Sequence, residues 1–149
     1  MNEFKPFDDK LAGLLASLSP AGRRKMAAEI AKKLRTSQQR RIKQQKAPDG
    51  SPYAKRKRQP VRAQRGRVKQ EMFAKLRTTR YLKTITTDEA AVVQFAGRVQ
   101  RIARIHQEGL TDKPNKHSAS VLYDKRELFG FSTADRQIIE GVISSRIIE

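Results

Sequence analysis

The chain has 149 residues, 37% of them apolar and 32% charged, with no cysteine and a formal net charge of +18. That length fits one domain with a modest core, and without cysteine there is neither a disulfide framework nor a thiolate metal site. No apolar run approaches the roughly 18 residues of a membrane span, and the excess of cations favours polyanions or acidic protein surfaces as partners.

The first ten residues, MNEFKPFDDK, carry mixed charge and no apolar core. No secretory signal is expected there, and a reducing cytoplasm is the expected compartment. Residues 7–18 place Phe7, Leu11, Leu14, Leu15 and Leu18 at helical spacing, with Asp8 and Asp9 in the first turn, where they suit the helix dipole. Ser19 then suits an N-cap and Pro20 the first helical position. A second helix is expected from about Pro20 to Gln45, with Met26, Ala27, Ile30, Ala31, Leu34 and Ile42 as a narrow apolar stripe among Arg, Lys and Gln. Pro48 is expected to end it. Residues at about 47–66 read as a basic extended loop that orders on assembly.

Helical spacing returns in RVKQEMFAKLR, residues 67–77, through Val68, Met72, Phe73 and Leu76. RYLKTIT at 80–86 and AAVVQFAG at 90–97 read as two strands of a hairpin that turns at Thr87-Asp88-Glu89. RVQRIARIHQEG at 98–109 is expected to be helical, with Val99, Ile102, Ala103 and His106 on one face and Gly109 closing it. A polar loop at 111–120 and a short strand at 121–123 follow. Ser132 and Asp135 then form a capping box for a last helix whose apolar face is Ile138, Ile139, Val142, Ile143, Ile147 and Ile148. The fold class expected is α+β: long N-terminal helices packed with a small antiparallel sheet and a C-terminal helix, in one domain spanning 1–149. The core is expected at Leu11, Leu14, Ile30, Leu34, Phe73, Leu76, Leu82, Val92, Phe95, Ile102, Ile138 and Val142.

Charge is concentrated. Residues 20–70 hold 18 Lys or Arg against two acids, Glu29 and Asp49, whereas residues 71–149 hold 13 against 10. The densest run, KRKRQPVRAQRGRVK, carries Lys55, Arg56, Lys57, Arg58, Arg62, Arg65, Arg67 and Lys69. Phosphate-backbone contact and docking on an acidic protein are the two functional readings, against a plain solvated loop. Tyr53 is the only aromatic nearby, so base stacking is not expected.

No catalytic residue, cofactor or metal site is expected. His106 and His117 lack convergent ligands or a nucleophile, and the glycines form no phosphate loop.

Four segments occur in order: SQQRRIKQQKAPDGSPYAKRK at 37–57, GRVKQEMFAKLR at 66–77, RIARIHQEGL at 101–110 and YDKRELFGFS at 123–132. Together they resemble the phage virion morphogenesis family over nearly the whole chain. The resemblance implies a structural assembly protein, not an enzyme. It would complete the tail and join it to the capsid at the head–tail junction, as a homo-oligomeric ring with a fold like neck and tail-terminator proteins. Implied partners are phage tail and head–neck proteins and, through nonspecific contact, packaged DNA, with assembly in the host cytoplasm and no membrane. The motif positions carry over as Pro48, Asp49, Gly50 and Tyr53; Arg104, His106 and Gly109; and Arg126, Leu128 and Gly130. Lys55 and Glu127 depart from the family, which often has proline at both.

On this reading the basic arm projects toward an acidic target, and deletion of residues 51–65 leaves a folded protein. The apolar stripes of the second and last helices are the expected subunit contacts. The alternative is a sequence-nonspecific DNA-binding protein, which would bind duplex with a steep salt dependence in isolation.

Overall fold

The computed structural model describes residues 5, 6, 9, 12, 13, 18–56 and 71–148. Five of these, Lys5, Pro6, Asp9, Ala12 and Gly13, are helical, in and just before the first expected helix. Phe7, Leu11, Leu14 and Leu15 lie outside the described residues, as do Val68 and the side chains of Ile147 and Ile148.

Helix α1 spans Pro20–Lys43. Ser19 caps it as expected: its hydroxyl accepts from the Gly22 N–H at 3.1 Å, and Pro20 opens the first turn. The helix ends close to the expected Gln45, but the closure is made by Gln45 itself and not by Pro48, the expected stop. Gln45 adopts φ 59°. The Gln45 N–H then reaches the Ile42 carbonyl at 2.9 Å and the Lys46 N–H reaches Arg41 at 3.2 Å, a Schellman closure. Glutamine holds a position usually given to glycine because both ends of its amide are engaged. Nε2 donates to the Ile42 and Met72 carbonyls at 2.8 and 2.9 Å, and Oε1 accepts from the Met72 N–H at 2.8 Å.

The same contacts explain why the helix expected at 67–77 is absent in its described part. Residues 71–81 run through turns and bends. The Met72 backbone is already bonded to Gln45, and Phe73 sits at φ 66°, which no α-helix accommodates.

Strands β1 (Leu82–Thr86) and β2 (Ala91–Phe95) pair antiparallel, Leu82 opposite Phe95 and Thr86 opposite Ala91. The Thr87 hydroxyl accepts from the Glu89 and Ala90 N–H groups and closes the turn. Helix α2 (Gly97–Glu108) follows and ends at Gly109, φ 67°. The region expected to be a polar loop contributes a short strand, β3 (Thr111–Asp112), paired antiparallel with β4 (Val121–Leu122). Helix α3 spans Thr133–Ile148, and its capping box is present: the Ser132 N–H donates to Asp135 at 3.0 Å and the Asp135 N–H to Ser132 at 3.1 Å. Three helices and two antiparallel strand pairs make the α+β class among the described residues.

The interior has two parts. Met26, Ile30 and Leu34 of α1 pack with Ile139, Val142 and Ile143 of α3. Ile42, Tyr53, Met72, Leu82, Phe95, Ala103 and Leu128 form the other cluster, and Val93 touches both. Of the expected core, Ile30, Leu34, Leu82, Phe95 and Val142 are buried and Phe73, Leu76, Val92 and Ile138 half-buried. Ile102 is a correction: it is 46% exposed, while Ala103 and Ile105 are buried. The returning segment 126–129 is bonded by the Gln107 side chain, which lies about 140° around α2 from Ile102.

Candidate functional site

The four sequence segments converge on one junction at the C-terminal end of α1. Residues 45–53 fold back as a tight hairpin. The Gly50 N–H bonds the Ala47 carbonyl at 2.9 Å, Ala47 bonds Ser51 at 2.8 Å, and the Tyr53 N–H returns to Gln45 at 2.8 Å. Gly50 takes φ 88°. Asp49 is exposed and accepts from the Ser51 hydroxyl and N–H, which hold its carboxyl below the ordinary range. The first part of the segment expected to extend as a loop is therefore part of the fold. Tyr53 is buried in the core, and its hydroxyl donates to the Glu127 carbonyl at 2.8 Å. Burial pushes that phenol up to about 12; Arg41 pulls it back and Glu127 adds to the rise.

Arg126 is buried and ties the third and fourth segments to this hairpin. Its guanidinium donates to the Ala54 and Lys55 carbonyls at 2.8 and 3.1 Å, and its N–H donates to the His106 carbonyl at 2.7 Å. At both Lys55 and Glu127 the group used is a backbone carbonyl, which any residue supplies. Leu128 is fully buried. Gly130, at φ 153°, lies so close to Pro48 that a Cβ there would sit 2.5 Å from the proline ring. Gly109 is similarly constrained: a Cβ would lie 3.0 Å from the Lys125 nitrogen.

A buried polar cluster seals the junction, and the sequence reading missed it. Arg41 lies on the α1 face that carries Leu34, Gln38 and Ile42. It donates to Asp135 at 3.1 Å, to the Leu128 carbonyl at 2.9 Å and to the Gln38 side chain. Asp135 is 0% exposed and also accepts from the Ser37 hydroxyl. One carboxylate thus caps α3 and pairs with α1. The Gln107 side chain works likewise, accepting from the Leu128 and Phe129 N–H groups at 2.7 and 2.8 Å and donating to the Phe129 carbonyl at 3.0 Å. Spacing could have found Arg41, since its position on the apolar stripe was visible; no local signal marked Gln45 or Gln107.

His106 is half-buried between Phe73 and Tyr123, with ring centroids at 4.9 and 5.1 Å. Its Nδ1 is buried without a partner among the described residues. Burial, and then the Arg126 charge, lower its pKa. Arg104 is exposed and pairs with Glu108 at 3.2 Å, one turn on. His117 is exposed.

Of the basic arm, Lys55 and Arg56 are exposed beside this junction. Arg56 borders a cleft of about 540 Å³ shared with Phe73, His106, Tyr123 and Arg126. Lys57, Arg58, Arg62, Arg65, Arg67 and Lys69 lie outside the described residues. A second basic surface is described in full: Lys25, Lys32, Lys33, Arg40 and Lys43 are exposed along α1.

Among the described residues no group of three or more His, Cys, Asp or Glu could hold a metal ion, and no helix is long and apolar enough to cross a membrane. A model described as the phage virion morphogenesis family matches residues 2–147. The chain is also 50% identical over 148 residues to Tail completion protein S of Escherichia phage P2, covering 99% of each protein. No solved structure matches it.

Proposed function

The chain belongs to the phage virion morphogenesis family, and on that premise we propose that it is a structural assembly protein that completes the phage tail and joins it to the capsid. The observation that carries this reading is the 50% identity, over 99% of each chain, with a protein named for tail completion. The junction geometry supports it. The motif residues Tyr53, Arg126, Leu128 and Gly130 are engaged in packing and backbone tethering. That is what a scaffold presenting a surface requires.

On the same reading the protein acts at the head–tail junction as a ring with a neck-like or tail-terminator-like architecture. Its contacts are neighbouring tail and head–neck proteins, and the basic arm beginning at Lys55 and Arg56 meets packaged DNA or an acidic neighbour. The hairpin at 45–53 supports the arm, because it fixes where the chain leaves the core.

Complementation tests the role. A phage lacking its tail completion gene, supplied with this chain, is expected to regain infectious particles, while without it filled heads and unjoined tails accumulate in electron micrographs. Equal yields of joined virions in both arms would overturn the proposal.

A further inference from the structure

We infer that the outer face of α1, together with the groove it forms with α3, is a binding surface for the phosphate backbone of duplex nucleic acid. This inference concerns a different surface from the arm and does not rest on the tail-assembly reading.

Three observations converge. First, Lys25, Lys32, Lys33, Arg40 and Lys43 are all exposed on a helix whose opposite face is consumed by the core. At about 1.5 Å per residue the row from Lys25 to Lys43 extends about 27 Å. Second, four of the five cations in the row are not neutralised. Glu29 is the only acid within α1, and it is engaged by Arg146 at 3.0 Å and Lys33 at 3.2 Å. None of Lys25, Lys32, Arg40 and Lys43 forms an ion pair among the described residues. Third, the row borders a concavity. A groove of about 450 Å³ runs between the helices, lined by Glu29, Lys32, Lys33, Thr36, Ser37 and Arg40 of α1 with Ile138 contributed by α3; its one acid, Glu29, is held by Arg146 and Lys33.

The chemistry favours nucleic acid over an acidic protein. Protein interfaces depend on buried aromatic or aliphatic anchors and are depleted in lysine. On α1 the large apolar side chains are turned inward, and the exposed face offers flexible cations. A uniform row of cations without apolar anchors matches a uniform row of phosphates and carries no means of reading base sequence.

The test is fluorescence anisotropy of the full chain with a labelled duplex oligonucleotide across a salt series. The comparison variant carries Lys25→Gln, Lys32→Gln, Lys33→Gln and Arg40→Gln, which leaves the arm intact. The wild type is expected to bind with a steep log–log salt slope, and the variant's slope is expected to be shallower by about 0.9 per lost phosphate contact, so about 3 to 4 in all. An unchanged slope would show that the arm alone meets DNA and would overturn the inference. Absence of duplex binding by the wild type, with binding to poly-glutamate instead, would overturn it in favour of an acidic protein. Circular-dichroism melting checks the fold. Should the fourfold variant melt early, Lys25→Gln with Lys43→Gln is expected to lower the slope by about 2, while Lys32→Arg with Lys33→Arg keeps it.

Discussion

At the residue scale, Asp135 matters most among the described groups because it joins two elements with one carboxylate. Replacing it with alanine strands the Arg41 guanidinium in the interior and removes the acceptor of the Ser132 N–H, half of the capping box of α3. Breaking a buried pair by removing one partner costs about 3–5 kcal/mol, and chemical denaturation of Asp135→Ala is expected to show a loss of that size. Gly130→Ala drives a methyl into the Pro48 ring. That variant is expected to lose about 1–3 kcal/mol, and pairing it with Pro48→Ala is expected to restore part of the loss in a double-mutant cycle.

His106 makes stability depend on pH. Burial and Arg126 hold its folded pKa below the ordinary value, so the folded chain favours neutral imidazole and the unfolded chain takes up the proton first as pH falls. The contribution is whole above the unfolded value of about 6.5. It declines as pH drops below that value and stops changing below the folded pKa. Melting temperatures at pH 7 and pH 5 are expected to differ less in His106→Phe than in the wild type; an equal difference would remove His106 from the account.

At the scale of elements, the hairpin at 45–53 changes where the arm begins. Deleting residues 51–65 would remove Tyr53, its bond to Glu127, and the Ala54 and Lys55 carbonyls that hold Arg126. The structure therefore reverses the expectation that such a deletion leaves a folded protein; the circular-dichroism melting transition is expected to be lost. Deleting 57–65 spares every contact described above and is expected to keep the transition.

At the scale of the whole molecule, the buried members of the apolar stripes on α1 and α3 among the described residues are not available for subunit contacts. Met26, Ile30 and Leu34 already pack on Ile139, Val142 and Ile143 within one chain. This corrects the surface argument for a ring, though not the ring as a proposal. Ile143→Asp is accordingly expected to unfold the protein, read as loss of the melting transition, and not to release folded monomers in light scattering. A ring must use surfaces other than these six side chains.

The periodic and punctuated parts of this fold were legible in the sequence. Ser19-Pro20, the Ser132–Asp135 box, Gly109 and the hairpin around Thr87 each carry their instruction within a few residues, because caps and turns are local hydrogen-bonding problems. The ordered set of four segments was legible too, and it pointed to the family. Tertiary structure alone decided that Gln45 would close α1 in a glycine conformation, that residues 71–77 would not be helical, and that Arg41 would turn inward to Asp135, 94 residues away. Each of those outcomes depends on a polar partner distant in sequence, and no local propensity encodes the position of such a partner.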